Sequence, residues 1–317
     1  MENKVSIVVT CYNHEKYIEQ CLRSIFAQTH KDIELIVIND GSEDNSEKII
    51  RETLKDSPYL ESYFFSTANH GVSSARNFGL EKITGKFLLY IDSDNYIDKN
   101  YVEYLLSSLD NNGYDIAYCQ LWDFKNDKDI LTGELSFSLE RELKGNMIDV
   151  SSLVRVSILK GIKFDEKLKT LEDYDFWLQA VLKNKAKVVY VSNIKLNYRM
   201  VEGSRNSRGN WEVYYDSYFY ILKKYIKEYP ELILNALKDN IFIWLNEYLN
   251  YEQATQKLEK EIINLRSMLH ESEREITLLK ENYTSLRNSK TYKIGEILTA
   301  PFRKIRKYIA TLHRSKK

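Results

Sequence analysis

Along residues 5–123 short apolar runs alternate with stretches in which apolar positions recur every three or four residues. The runs are residues 5–9, 33–38, 60–65 and 87–91, rich in Val, Ile, Leu and Phe. Unbroken runs of this kind predict strands buried on both faces. After the first, Tyr17/Ile18, Cys21/Leu22 and Ile25/Phe26 fall at helical spacing and predict a helix, with Asn13 as its cap. Helices are likewise predicted near residues 45–54, 72–82 and 99–109. Strand and helix in alternation specify an α/β domain, a sheet covered by helices on both faces.

Past Trp122 the pattern loosens. Residues 125–145 are polar and uneven, residues 162–184 read as a loop and then a helix, and residues 186–191 as another strand. Gly, Ser and Arg cluster over residues 202–210, which predicts a loop. Residues 214–249 are aromatic with helical spacing, a packing segment for the α/β body. From Thr255 a heptad register places Thr255, Ile262, Leu269, Ile276 and Tyr283 at a, and Leu258, Leu265, Ser272, Leu279 and Leu286 at d. This predicts a coiled coil that pairs two copies, with Glu261 facing Arg266 and Glu275 facing Lys280, or one long helix folded back on its own domain. The expected divisions are residues 1–212, 213–250, 251–290 and 291–317.

Charge changes the picture only at the end of the chain. Lys and Arg number 46, as do Asp and Glu, which excludes a uniformly basic nucleic-acid binder. Residues 251–317 nevertheless hold 15 basic and 8 acidic side chains, a net +7, and residues 1–250 a net −7. Residues 287–317 carry ten basic residues and one acid, interleaved with apolar ones, a tail suited to an anionic membrane surface or to plain solvation. Three cysteines, Cys11, Cys21 and Cys119, without ligand spacing, argue against a disulfide framework or a zinc site and fit the cytoplasm. Neither a secretory leader nor a run of about 20 apolar residues is expected.

The candidate chemistry stands at predicted strand ends. Thr10-Cys11-Tyr12-Asn13 follows the first run and Asn39-Asp40-Gly41-Ser42 the second. In open α/β sheets ligands bind outside the carboxyl ends of strands, so Tyr12 could stack on a base while Asp40 accepts a hydrogen bond from it; Asn-Asp-Gly-Ser is also an ordinary turn. Asp92-Ser93-Asp94-Asn95 places two carboxylates at the fourth strand end, suited to Mg²⁺ or Mn²⁺ with a nucleotide diphosphate, or a solvated acidic turn. Before it, Asn69-His70-Gly71 and Ala75-Arg76-Asn77-Phe78-Gly79 bring Arg76 to orient the carboxylates or meet phosphate.

In that order these motifs resemble the family 2 glycosyltransferases of the GT-A fold, over roughly residues 5–207. The resemblance implies a nucleotide-sugar donor, most often a UDP-sugar. It places Thr10, Tyr12 and Asp40 near the uridine, with Arg76, Asp92 and Ser93 also on the donor side, and Asp94 with Asp92 on the metal. Phe164-Asp165-Glu166 followed by Leu171-Glu172-Asp173-Tyr174 resembles the acceptor-side segment, in which Asp173 matches the catalytic base and Glu172 holds it in place. A carboxylate in a helix's first turn stays ionised with help from the dipole, although Glu-Asp also simply favours a helix start. Tyr198-Arg199 and Ser204-Arg205 resemble the loop that closes over the diphosphate, where Arg199 and Arg205 would offset its charge; Arg205 and Arg208 also suit a solvated loop.

Asn39, Gln179 and Asn95 depart from the usual Asp, Arg and third motif residue, which bears on the donor sugar and the acceptor contacts. The reading is an inverting glycosyltransferase acting on a carbohydrate or lipid-linked glycan acceptor, as in bacterial surface polysaccharide assembly, at the cytoplasmic side and held to the membrane by the tail. Its rivals are a silent sugar-nucleotide-binding scaffold and a nucleotidyltransferase.

Overall fold

The computed structural model describes residues 3–110, 113–200, 211–290 and 293–294, and contacts divide the chain into two compact units, Met1–Asn240 and Ile241–Lys317. The first opens with β1 (Val5–Cys11), α1 (Ile18–Phe26), β2 (Ile33–Asp40), α2 (Ser46–Thr53), β3 (Ser62–Thr67), α3 (Val72–Leu80) and β4 (Phe87–Asp92). Then come β5 (Tyr96–Ile97), α4 (Tyr101–Asp110), β6 (Ile116–Asp123), β7 (Lys128–Asp129), α5 (Leu139–Lys144), β8 (Leu153–Arg155) and α6 (Glu172–Leu178). A π-helical turn, Gln179–Lys183, continues α6, and β9 (Val188–Tyr198), α7 (Trp211–Tyr225) and α8 (Pro230–Asn288) follow.

One sheet runs β3-β2-β1-β4-β8-β6-β9-β5, with β7 beside β6. Its first four strands are parallel, β8 is antiparallel to both neighbours, and β6 and β9 are again parallel. Strand periodicity sorts the apolar runs between two cores. Val5, Ile7, Val9, Leu35, Val37, Phe87 and Leu89 face one, with α1 and α4; Val8, Ile36, Ile38, Leu88 and Tyr90 face the other, with α6. Both faces are therefore sealed by apolar contact, and function is left to the edge where the parallel strands end.

Three local expectations shift. The third strand is Ser62–Thr67 rather than residues 60–65, because Leu60 stands wholly in solvent before an edge strand. Asn13 does not cap α1: it turns the chain in the left-handed region at φ 53°, and α1 begins five residues later. β9 extends beyond residues 186–191 to Tyr198, since an irregularity opposite Cys119/Gln120 lets pairing with β6 resume at Lys195. The aromatic segment forms two helices, and Pro230 opens α8 at the position where its missing N–H costs nothing. In the second unit the seam residues Leu258, Ile262, Leu265, Leu269, Ile276, Leu279, Tyr283 and Leu286 are all exposed.

Candidate active site

The register sets the site's breadth. Thr10 of β1 lies opposite Ile38 of β2 and Asp92 of β4, so the loops after β1, β2 and β4 leave the sheet side by side. With strands spaced about 4.8 Å and Asp40 two residues further along than Asp92, the two flank β1 at roughly 12 Å from each other. Asp40 is buried, and its two oxygens accept the amides of His70 and Gly71 at 2.9 Å each, which fixes the loop that leads into α3. Gly41 turns at φ +70°, and a Cβ there would lie 2.5 Å from the backbone nitrogen of Asn69. G41A is therefore expected to lower stability by about 1–3 kcal/mol, read by thermal melts; an unchanged melting temperature would show that this turn is not so constrained.

Around that turn, Tyr12 is 42% exposed, whereas Thr10 is buried. Asn13 accepts the Glu43 amide at 2.8 Å and donates its own N–H to Ser42 Oγ at 3.0 Å, joining the first two loops. Ser93 is 1% exposed and sits 2.7 Å from His14 Nδ1, joining the first loop to the third. Ser93 thus braces the loop from within.

The motif in α3 divides its work. The Arg76 guanidinium, 4% exposed, donates to Asp92 Oδ1 at 2.8 Å and to Glu172 Oε1 at 3.1 Å, and lies over the Phe164 ring. Burial opposes its charge, but Asp92 and Glu172 outweigh that and raise its pKa. Asn77 accepts the Phe164 amide at 2.8 Å and donates to the Phe164 carbonyl at 3.0 Å, docking the segment that leads into α6. Gly79 lets α3 approach β1, since a Cβ would meet Val8 Cγ1 at 2.5 Å.

Leu171 then takes the left-handed region at φ 61°, a conformation that costs an L-residue about 1–2 kcal/mol, and α6 starts at once with Glu172 and Asp173. Asp173 Oδ1 accepts the Tyr174 amide and Oδ2 accepts Asn146 Nδ2, both at 2.8 Å. Burial pushes the Asp173 carboxyl up to about 7, helped by the charges of Glu172 and Asp149 and opposed by Arg76. Asp94 is pushed up to about 7 by burial and then by Asp92. Asp149 rises to about 6 for the same first reason, again with Asp92 adding to it. Asp92, Asp94, Asp149, Glu172 and Asp173 thus share one electrostatic neighbourhood around Arg76, at the edge that also carries Asp40.

The sequence profile described as Glycosyl transferase family 2 matches residues 6–165, half of the chain. The chain belongs to that family. Among relatives, the glycosyltransferase GlyA of Streptococcus pneumoniae is 25% identical over 315 residues, covering 89% of this chain and 44% of GlyA. The chain thus spans under half the length of that relative. A teichoic acid poly(glycerol phosphate) polymerase of Staphylococcus epidermidis is 30% identical over 208 residues, 62% of this chain and 28% of the polymerase. Among solved structures, S. aureus TarS 1-349 in complex with UDP-GlcNAc superposes with TM-score 0.62 at 23% identity, covering 75% and 71% of the two chains. The mannosyltransferase PcManGT of Pyrobaculum calidifontis, in complex with GDP-Man and Mn²⁺, gives TM-score 0.60 at 15% identity, covering 95% and 85%. These likenesses carry the GT-A fold.

Against the family's usual residues, Asn39 is buried and uses both ends of its amide, donating to Ser66 Oγ at 3.1 Å and Glu47 Oε2 at 3.3 Å and accepting the Ser42 amide at 3.3 Å. An aspartate could not donate there. Gln179 is buried and donates to the Lys163 carbonyl at 2.9 Å and Asp175 Oδ2 at 3.1 Å, so it serves packing behind α6. Asn95 accepts the Arg199 amide at 2.9 Å. The Arg199 guanidinium donates to the Asp94 carbonyl at 2.8 Å and Gln20 at 2.7 Å, and lies over the rings of Tyr17 and Phe124, so it fastens β9 to the β4 loop. Arg205 and most of the basic tail lie outside the described residues.

Asp149, Asn146 and Glu142 escaped the sequence reading. They sit in or just past the uneven segment of residues 125–145, where no period or motif marks them, and only the crossing of β8 beside β4 brings them to the edge. Among the described residues no three His, Cys, Asp or Glu side chains are grouped to hold a metal ion. The carboxylates of Asp92 and Asp94, two residues apart where β4 ends, are nevertheless oxygen donors of the kind a hard divalent ion takes. Also among the described residues, no helix is long and apolar enough to cross a membrane.

Proposed function

We propose that this chain is an inverting glycosyltransferase that moves a sugar from a nucleotide-diphosphate donor, a UDP-sugar, to an acceptor hydroxyl. The observation that carries the reading is Asp173: a partly exposed carboxylate in the first turn of α6, whose pKa is lifted toward neutrality by burial and by the charges of Glu172 and Asp149, with Arg76 opposing. A base is most effective when its pKa lies near the working pH, since it is then ionised yet still basic. Asp173 takes the acceptor's proton as that oxygen bonds to the anomeric carbon from the face opposite the diphosphate. Glu172, tied to Arg76, keeps the start of α6 facing the donor loops. Tyr12 stacks on the base, and Asp40 with Thr10 shapes the uridine end, by the match of these residues to the family's motifs. Asp94 and Asp92 would hold a Mn²⁺ or Mg²⁺ ion, whose chemistry there is to offset charge on the leaving diphosphate.

The UDP-GlcNAc complex of TarS supports a UDP-sugar donor, and the polymerase relative a glycan or lipid-linked acceptor of bacterial surface assembly. The exposed heptad seam supports pairing of two copies through residues 251–290, and the basic tail an anionic membrane at the cytoplasmic face.

The test is product analysis with a panel of nucleotide sugars. Expected are a nucleoside diphosphate and a glycoside of inverted configuration, with activity lost in chelator and restored by Mn²⁺ or Mg²⁺. Pyrophosphate release would point instead to a nucleotidyltransferase, and nucleotide-sugar binding without turnover to a scaffold.

A further inference from the structure

Asp173 owes its orientation to a segment that precedes it and to helices that follow it. Asn146 donates from Nδ2 to Asp173 Oδ2 at 2.8 Å while its Oδ1 accepts the Ile148 amide at 3.2 Å, so both ends of this amide are fixed. With the Tyr174 amide on Oδ1, the carboxylate has one donor per oxygen and its plane is set. Asn146 stands two residues beyond α5, after Gly145, and Glu142 within that helix, fully buried, accepts the Met147 amide at 3.0 Å and folds the loop back.

The end of α5 is itself held from three sides. The Leu143 carbonyl accepts Tyr174 Oη at 3.1 Å from α6 and Tyr218 Oη at 2.7 Å from α7. The Lys144 carbonyl accepts Asn240 Nδ2 at 2.8 Å from α8, and the same amide donates to Tyr218 Oη at 2.9 Å. The Tyr174 and Tyr218 rings stack at 6.1 Å and 12°. Carbonyls at a helix end have no partner within the helix, so donors from elsewhere decide where that end lies.

We infer that Asn146 is a positioning residue for Asp173, and that Tyr218 of α7 and Asn240 of α8, beyond the family-matched residues 6–165, hold Asn146 in place. This rests on the reading of Asp173 as the base. A donor to an ionised carboxylate stabilises the form that accepts the proton, so its loss lowers the active fraction as well as disordering the geometry. Other groups around the same carboxylate are Glu172, Asp149, Glu142 and Arg76, with the Tyr214 phenol reaching it from α7.

The test compares wild type, N146A, N146D, D173N and the double variant Y218F/N240L in the full chain, by steady-state kinetics across pH, with circular dichroism as the check on folding. N146A is expected to lower kcat about 10- to 100-fold, leave the donor KM within about twofold and move the acid limb of the profile to higher pH. N146D, of nearly the same shape, should move that limb further, and it gives the answer should N146A fail to fold. The double variant should lower kcat about 3- to 10-fold with the donor KM unchanged. Wild-type kcat and pH profile in N146A or N146D, beside an inactive D173N, would overturn the role of Asn146. Wild-type kcat in Y218F/N240L would overturn that of the two helices. An active D173N would remove the base itself, a separate and recognisable failure.

Discussion

Asp173→Asn should retain nucleotide-sugar binding and lose transfer by about 10²- to 10⁴-fold, the share that a positioned base contributes. Asparagine keeps the size of the side chain and can still be held near Asn146 and the Tyr174 amide, but it accepts no proton. In the wild type the pKa is raised to about 7, so kcat should fall about tenfold per pH unit below that value, and the residual activity of the variant should lack this limb. Stability should move the other way. A carboxyl whose pKa is higher folded than unfolded binds its proton more tightly in the folded state, and stability falls as pH rises from about 4 through about 7. The variant should therefore melt a few degrees above wild type at pH 8 and show no gain at pH 4. Transfer at the wild-type rate would refute the assignment.

Arg76→Met should cost about 3–5 kcal/mol and abolish detectable transfer. Arg76 is 4% exposed and pairs with Asp92 and Glu172 at once. Methionine fills a similar volume and leaves both carboxylates without their shared counter-charge, the costly way to break a buried pair. The melting temperature should drop by roughly 10 °C. Arg76→Lys should fall between, because an ammonium cannot fork to two acceptors as a guanidinium does. A Met variant that melts with wild type would show that Arg76 does not balance the acids.

Much of the candidate site at the sheet's edge was legible along the chain because it is local. Thr10, Asp40 and Asp92 each end a strand in a run of residues that also shows where the strand is, and parallel pairing brings such ends to one edge. Asn39 and Ser93 were legible as motif positions but not in their duties, since both turn inward to brace the loops. Arg199, expected over the diphosphate, is engaged with Gln20 and the Asp94 carbonyl, and nothing near it in the chain foretells those partners. Asp149 and Asn146 were illegible because a single Asp or Asn in an irregular stretch has no period to betray it.

Hydrophobic period and strand-end motifs by themselves determined the α/β layering, the order of the loops and the carboxylates available at the sheet's edge. Those features depend on interactions between near neighbours in the chain, which the order of residues specifies directly. Only the tertiary structure decided that Arg76 binds Asp92 and Glu172 together, that Asp149 crowds them, and that α5, α7 and α8 aim Asp173 through Asn146. Each of these joins groups far apart along the chain, and their charges and hydrogen bonds acquire a strength and a direction only once packing has removed water and set the distances.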